Sequence, residues 1–408
     1  MESELFNFGD LDAFTEDVPH SAFAKLRREA PVYWNRDPSS SSQDGGFWLL
    51  TKYGHIRQVE KTPALFSSHY GLTLADAPPE TWGPPWSMVR DGLTHLDPPA
   101  HAMHKHLVAP SFAPRAIAAL EGRIRSIAEE VISRAVAPRH FDFAEEVALR
   151  FPVRVVLGEV LGLPKEDFAK AIHWSDVIAA PNDPTFPKLE GVKVVQEIYA
   201  YALSLLAARR REPKDDIVSI LAHMQTESGE YMSKEMFARY FWSIITGAFD
   251  TTASAIAGGV QAFCNFPDEY ERLVSQPALL PTAVEEVLRW ETPTIYFRRT
   301  AMSDAVIGGQ SIQRGQRVVM CYASANRDEE IFPSPDLFDV SRQPNDHLSF
   351  GHGPHFCLGA GLARTEIRLL YERMIERKLR FRITGAVRRA KSNFQNRIKQ
   401  MQVTIERS

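Results

Sequence analysis

The stretch Phe350-Gly351-His352-Gly353-Pro354-His355-Phe356-Cys357-Leu358-Gly359 decides how this chain reads. Glycine has no Cβ and accepts positive φ, so Gly351 and Gly353 let the backbone turn tightly and approach a flat ligand closely. Cys357 stands just before a helical run from Leu358 to Leu370. The positive end of such a helix favours the thiolate form of a cysteine. A thiolate in an apolar loop under a glycine turn meets the needs of axial haem ligation. Taken alone, Cys357 reads more readily as a small buried apolar residue, the usual fate of a lone cysteine. A dinucleotide loop does not fit, because a third glycine is missing at its spacing and no strand-then-acid context follows.

Working outward, the most apolar stretch runs from about Phe237 to Phe263. Arg239 and Asp250 interrupt it, with Thr251 and Thr252 beside the acid. A carboxylate in mid-span costs about 2.5–3.5 kcal/mol on membrane insertion, so the reading is one long helix buried inside a globular protein. Glu286-Val287-Leu288-Arg289 places a carboxylate and a guanidinium on one helical face. That spacing alone is commonest as a solvated surface pair.

The chain has 408 residues, 44% hydrophobic and 24% charged, which fits a globular protein able to enclose a cofactor. A net charge of −4 points to neither nucleic acid nor an anionic membrane. The three cysteines, Cys264, Cys321 and Cys357, are too few and too scattered for a disulfide framework or a zinc site, and they fit a reducing cytoplasm. The acidic start Met1-Glu2-Ser3-Glu4-Leu5-Phe6 has neither signal-peptide nor anchor character. Helical periodicity marks 116–135, 194–209, 280–290 and 361–374, and strand-like runs mark 47–50, 318–322 and 401–405. The expected fold class is mainly α with minor β. The segment 75–99 is too rich in proline and glycine for regular structure and is expected to be a long functional loop.

Together these segments resemble the cytochrome P450 family over most of the chain. The resemblance is closest to its soluble bacterial-type members, and it implies a single haem-enclosing domain over residues 1–408. Cys321-Tyr322-Ala323-Ser324-Ala325-Asn326-Arg327-Asp328 and Arg342-Gln343-Pro344-Asn345-Asp346-His347 are similar to members that oxidise terpenes, sterol side chains and branched lipids. By resemblance Cys357 is the metal ligand of haem b (iron protoporphyrin IX). His101, Lys105, Arg299 and His355 match propionate contacts. Lys105 stands where the family usually has arginine, which keeps the charge and loses the bidentate fork. Ala248, Phe350, Gly351 and Gly359 complete the implied haem-binding set.

Gly247-Ala248-Phe249-Asp250-Thr251-Thr252 is similar to the family's oxygen-binding helix. Gly247 and Ala248 then leave room above the haem, Thr251 and Asp250 are the catalytic proton-handling pair, and Phe249 points away. Glu286, Arg289 and Arg342, the last from Phe338-Asp339-Val340-Ser341-Arg342, are the implied structural triad. The implied substrate pocket draws on Trp82, Trp86, Met88, Ile178, Ser243, Thr246, Ile295, Phe297 and Phe394. These are mostly apolar, so the ligand is expected to be lipophilic: a terpenoid, a steroid or a branched lipid, with aromatic acids and polycyclic compounds left open.

The implied reaction places one atom of O2 into a C–H bond. Electrons come from NAD(P)H through a separate ferredoxin-type donor, since no second cofactor motif is present. Lys105, Arg364 and Arg368 are candidate contacts for that partner, or equally ordinary surface charges. The expected protein is a cytoplasmic monomer without nucleic acid or membrane anchor. A haem-thiolate sensor without turnover, desaturation and peroxide-driven oxidation stay open as other outcomes.

Overall fold

Where apolar residues recur every third or fourth position the chain forms helices, and their apolar faces meet in one large core. The computed structural model describes residues 5–37, 45–74, 87–180, 186–187, 189–225 and 229–406. The helices that position the site are α1 (Tyr53–Glu60), α2 (Ala100–Val108), α3 (Pro114–Val136), α4 (Phe168–Ala179), α5 (Glu190–Arg211), α6 (Lys234–Gly247), α7 (Asp250–Asn265), α8 (Leu280–Glu291) and α9 (Ala360–Glu376). Helix α3 opens on Pro114, whose missing N–H is no loss in a first turn. It buries Ile117, Ile124, Ile127 and Val131 and packs along α9. Helix α6 is capped by Ser233, whose side chain accepts from the Met236 N–H.

The strands β1 (Val32–Arg36), β2 (Gly46–Leu50), β3 (Phe66–Ser67), β4 (Tyr296–Ala301) and β5 (Arg317–Cys321) form one sheet in the spatial order β1-β2-β5-β4-β3. Central β5 runs parallel to β2, with Leu49 opposite Val319, and antiparallel to β4, with Phe297 opposite Met320. All five residues of β5 are buried, which explains a continuous apolar run rather than alternation. The run near 401–405 pairs with His140–Asp142 and Phe381–Ile383 in a smaller sheet. The architecture is therefore mainly α with minor β, as expected.

Two expectations need correction. The apolar stretch 237–263 is two helices, interrupted at Ala248–Phe249. The hydroxyls of Thr251 and Thr252 donate to the carbonyls of Gly247 and Ala248, four residues back, at 3.1 and 3.3 Å. Such side-chain bonds compete with the backbone ladder and bend helices. Within the 75–99 segment, Ser87–Arg90 is a short helical turn rather than loop. Among the described residues no helix is long and apolar enough to cross a membrane.

Candidate active site

The cysteine loop is shaped by what lies against it. Gly351 and Gly353 have φ of +68° and +69°. A Cβ on Gly353 would stand 2.6 Å from the backbone oxygen of Glu60, and one on Gly351 would stand 3.2 Å from Glu60 Oε1. The loop therefore fits over the end of α1 only with glycine at both positions. The Cys357 N–H donates to the Phe350 carbonyl at 2.9 Å, folding the loop back before α9 begins at Ala360. Lys105 reaches across from α2 and donates to the carbonyls of Pro354 and Phe356, both at 2.7 Å.

Cys357 is exposed, but to an internal cavity of about 620 Å³ rather than to bulk water. Burial among protein atoms pushes its thiol pKa up, and the backbone N–H groups of Gly359 and Ala360, with Lys105 and Arg364 nearby, pull the other way. Cation binding would remove that proton altogether.

One end of the cavity is cationic. Arg299 on β4 is 4% exposed and lines the space. It donates to the Arg298 carbonyl at 2.8 Å, and among the described residues no carboxylate pairs with it. His101, from the first turn of α2, and His355, from the cysteine loop, lie with ring centroids 4.0 Å apart at the same end. His355 Nε2 is 3.3 Å from the Ser68 hydroxyl. A buried guanidinium without an anion is costly, so this end is built for an acidic ligand.

The wall facing Cys357 is the interruption between α6 and α7. Gly247, Ala248, Thr251, Thr252 and Ala255 line it, and a Cβ on Gly247 would touch nothing within 4 Å. Phe249 is fully buried away from the cavity, as expected. Asp250 is 1% exposed and turned behind the wall. Arg397 lies 3.2 Å from its Oδ1, and the Ser175 hydroxyl donates to Oδ2. Burial raises the Asp250 pKa, and Arg397 and Ser175 oppose the rise.

The cytochrome P450 family model matches residues 187–397. The chain is 35% identical over 407 residues to the steroid C26-monooxygenase of Rhodococcus jostii, covering 98% of this chain and 84% of that one. It is 34% identical over 409 residues to the linalool 8-monooxygenase of Pseudomonas putida, covering 97% of each. This chain belongs to the cytochrome P450 family. A solved P450 of Mycobacterium marinum in complex with pseudoionone superposes with a TM-score of 0.89 at 31% identity, covering 99% of this chain and 98% of that one.

Membership makes the chain a P450 monooxygenase of lipophilic substrates and implies haem. The residues present fit that group. A cysteine sulfur faces the cavity, glycines admit a flat ring against the loop, and the unpaired Arg299 with His101 and His355 suits the two haem acids. The P450 structure also gathers Glu286, Arg289 and Arg342. Arg289 forks onto Glu286 with two bonds of 2.8 Å, and Arg342 Nε lies 3.1 Å from both carboxylate oxygens. All three are buried.

Of the expected substrate-pocket residues, Ile178, Ser243, Thr246, Phe297 and Phe394 line the cavity of the P450. Met88 and Ile295 do not. Met88 packs into the main core. Ile295 precedes β4, where its N–H pairs with Phe394, and its side chain joins the cluster of Phe8 and Leu49. Trp82 and Trp86 lie outside the described residues. Arg364 and Arg368, read as partner contacts or equally as ordinary surface charges, are partly exposed and pair within the chain: Arg364 forks onto Glu285 with two bonds of 2.7 Å, and Arg368 bonds Glu121 at 2.9 Å.

Sequence reasoning missed Glu60, Tyr322, Glu366 and Gln395, all of which border the cavity. Both carboxylate oxygens of Glu366 are buried without a partner, and burial raises its pKa well above the usual carboxylate range. A signal for it existed, since it is the one charge within the buried α9 stripe Leu362, Ile367, Leu369 and Leu370.

Proposed function

We propose that this P450 hydroxylates a terpenoid, steroid or branched lipid, drawing electrons from NAD(P)H through a separate ferredoxin-type donor. The observation that carries this reading is the cavity itself. It is enclosed between Cys357 and the α6–α7 interruption, and its upper walls are apolar: Val177, Ile178, Val195, Trp242, Phe297 and Phe394. Such walls orient a lipophilic skeleton by shape and leave its C–H bonds toward the cysteine side. The relatives named for steroid C26 and linalool C8 oxidation point to the same substrate class. We place the protein in the cytoplasm as a single-domain monomer.

Bound haem supplies activation of O2 for insertion of one oxygen atom into a C–H bond. The chain's own residues do the rest. Cys357 Sγ would hold the metal, to which its thiolate would donate charge. Arg299, His101 and His355 hold the acid edge, and Lys105 fixes the shape of the cysteine loop through its carbonyls. Thr251 Oγ1 keeps its proton on the Gly247 carbonyl, at the cavity wall. From there it presents a hydroxyl to the reacting side. Asp250 delivers protons to that hydroxyl, and to do so it must let go of Arg397 and Ser175.

The test is a binding screen of the ferric holoprotein against terpene alcohols, steroids, branched fatty acids and aromatic acids, followed by turnover of each binder with a surrogate ferredoxin and reductase. Displacement of water from the metal reports binding directly. Oxygenated product from a terpenoid, steroid or branched lipid is expected. Binding and turnover confined to aromatic acids would contradict the reading.

A further inference from the structure

Glu60, the last residue of α1, has no part in the roles assigned above. The residue is 5% exposed and borders the cavity along with Arg299, Tyr322, Gly351 and His355. Oε1 accepts from the Tyr322 hydroxyl at 2.8 Å. Oε2 is buried with no hydrogen-bond partner, and among the described residues Glu60 makes no ion pair. The loop is built around this acid, since a Cβ on Gly351 would press on Oε1 at 3.2 Å.

A buried polar atom left unpartnered costs about 1–3 kcal/mol, and in a native fold such an atom calls for a ligand or water. The acid edge of a haem, which the Arg299, His101 and His355 end of the cavity suits, is such a ligand. An ionised Glu60 there would add a negative charge against two others, whereas a protonated one offers them a donor. We propose that Glu60 is a further haem-holding residue whose Oε2 donates a hydrogen bond to a propionate of the bound haem. The proposal rests on the haem reading above.

Burial, opposed by the Tyr322 bond, Arg299, the His352 backbone N–H and Arg57, raises the Glu60 acid to about 7. The groups acting on it are Arg57 and Tyr53 from α1, Arg299 from β4, Tyr322, and the His352 backbone of the cysteine loop. The propionate charge acts in the same direction as burial, toward the protonated form. As pH rises through this acid's pKa, Glu60 gives its proton to solvent and the donor becomes a repelling anion. Haem retention must then fall with rising pH.

Haem transfer from the purified holoprotein to excess apomyoglobin measures this directly. Wild type is expected to release haem about tenfold faster at about pH 9 than at about pH 6, the scale of one hydrogen bond to a charged group. Glu60→Gln keeps a donor at every pH, so its release rate should stay slow and change less than about twofold across the same range. Glu60→Leu should release haem fast at both values. A pH step that persists in Glu60→Gln, or release from Glu60→Leu as slow as from wild type, would overturn the proposal. Should Glu60→Leu fail to fold, the Glu60→Gln comparison decides alone. Failure of wild type to take up haem, seen from the haem content per chain before any rate is measured, would overturn the haem reading instead.

Discussion

Asp250 and Thr251 are adjacent in the chain, yet the fold gives them different surroundings. Thr251 lines the cavity and Asp250 sits behind the wall, tied to Arg397 and Ser175. Their substitutions should therefore fail differently. Thr251→Ala should keep haem, substrate affinity and NAD(P)H consumption while diverting electrons to hydrogen peroxide, because protons then arrive without the positioned hydroxyl. Asp250→Asn should slow the whole cycle by about 10²–10⁴-fold, the range of a positioned proton-transfer group, with less change in coupling. Product, peroxide and NAD(P)H measured together for both variants decide this. Unchanged coupling in the first and unchanged rate in the second would remove this segment from the mechanism. Both residues were legible because an acid inside an apolar run is expensive and stands out. Arg397 and Ser175 were not, since each is an ordinary polar residue until the fold brings it to Asp250.

Among the elements, α8 shows how one carboxylate can organise a region. Glu286 is fully buried and accepts from Arg289, Arg342, the Asn345 side chain and the Asp339 N–H. The two guanidiniums spend their other N–H groups on the carbonyls of Asn326, Pro333, Pro335 and Leu337. The chain leading to the cysteine loop is thus pinned to α8. Glu286→Ala leaves two buried cations without their anion, a loss of about 3–5 kcal/mol, and should give mostly haem-free or insoluble protein. Normal yield, haem content and thermal midpoint in this variant would show that the triad is dispensable. The i,i+3 pair was readable from spacing, but its burial was not, because the same spacing recurs on solvated faces. The interruption between α6 and α7 was written in Thr251-Thr252, whose hydroxyls take the Gly247 and Ala248 carbonyls. It was missed because the apolar run on either side looks continuous.

In the molecule as a whole, the helical core and the five-stranded sheet contribute opposite parts of one cavity. The sheet supplies Phe297 and Arg299, and the helices supply the wall above and the cysteine loop below. Local periodicity located α3, α5, α8, α9 and the strands near 47–50 and 318–322, because burial of one face leaves a pattern in the chain. The cavity lining was legible only in part. Ile178, Phe297 and Phe394 were reached through the resemblance to the family, whereas Ile295, reached in the same way, lies just outside β4 and turns into another cluster. Glu60 borders the cavity through contacts between segments distant in sequence, which no local pattern records, whereas Glu366 left a trace as the one charge within the buried α9 stripe.

The central claim is that Cys357, alone of the three cysteines, ligates haem across this cavity. Cys264 is partly buried and donates to the Phe381 carbonyl, and Cys321 is buried in β5; neither borders the cavity. The decisive measurement is the absorption spectrum of the reduced protein under carbon monoxide for wild type, Cys357→His, Cys264→Ser and Cys321→Ser. Wild type and the two serine variants should show the strongly red-shifted Soret band of thiolate-bound haem, and Cys357→His should lose it. Loss of that band in Cys264→Ser or Cys321→Ser, with the band retained in Cys357→His, would contradict the account.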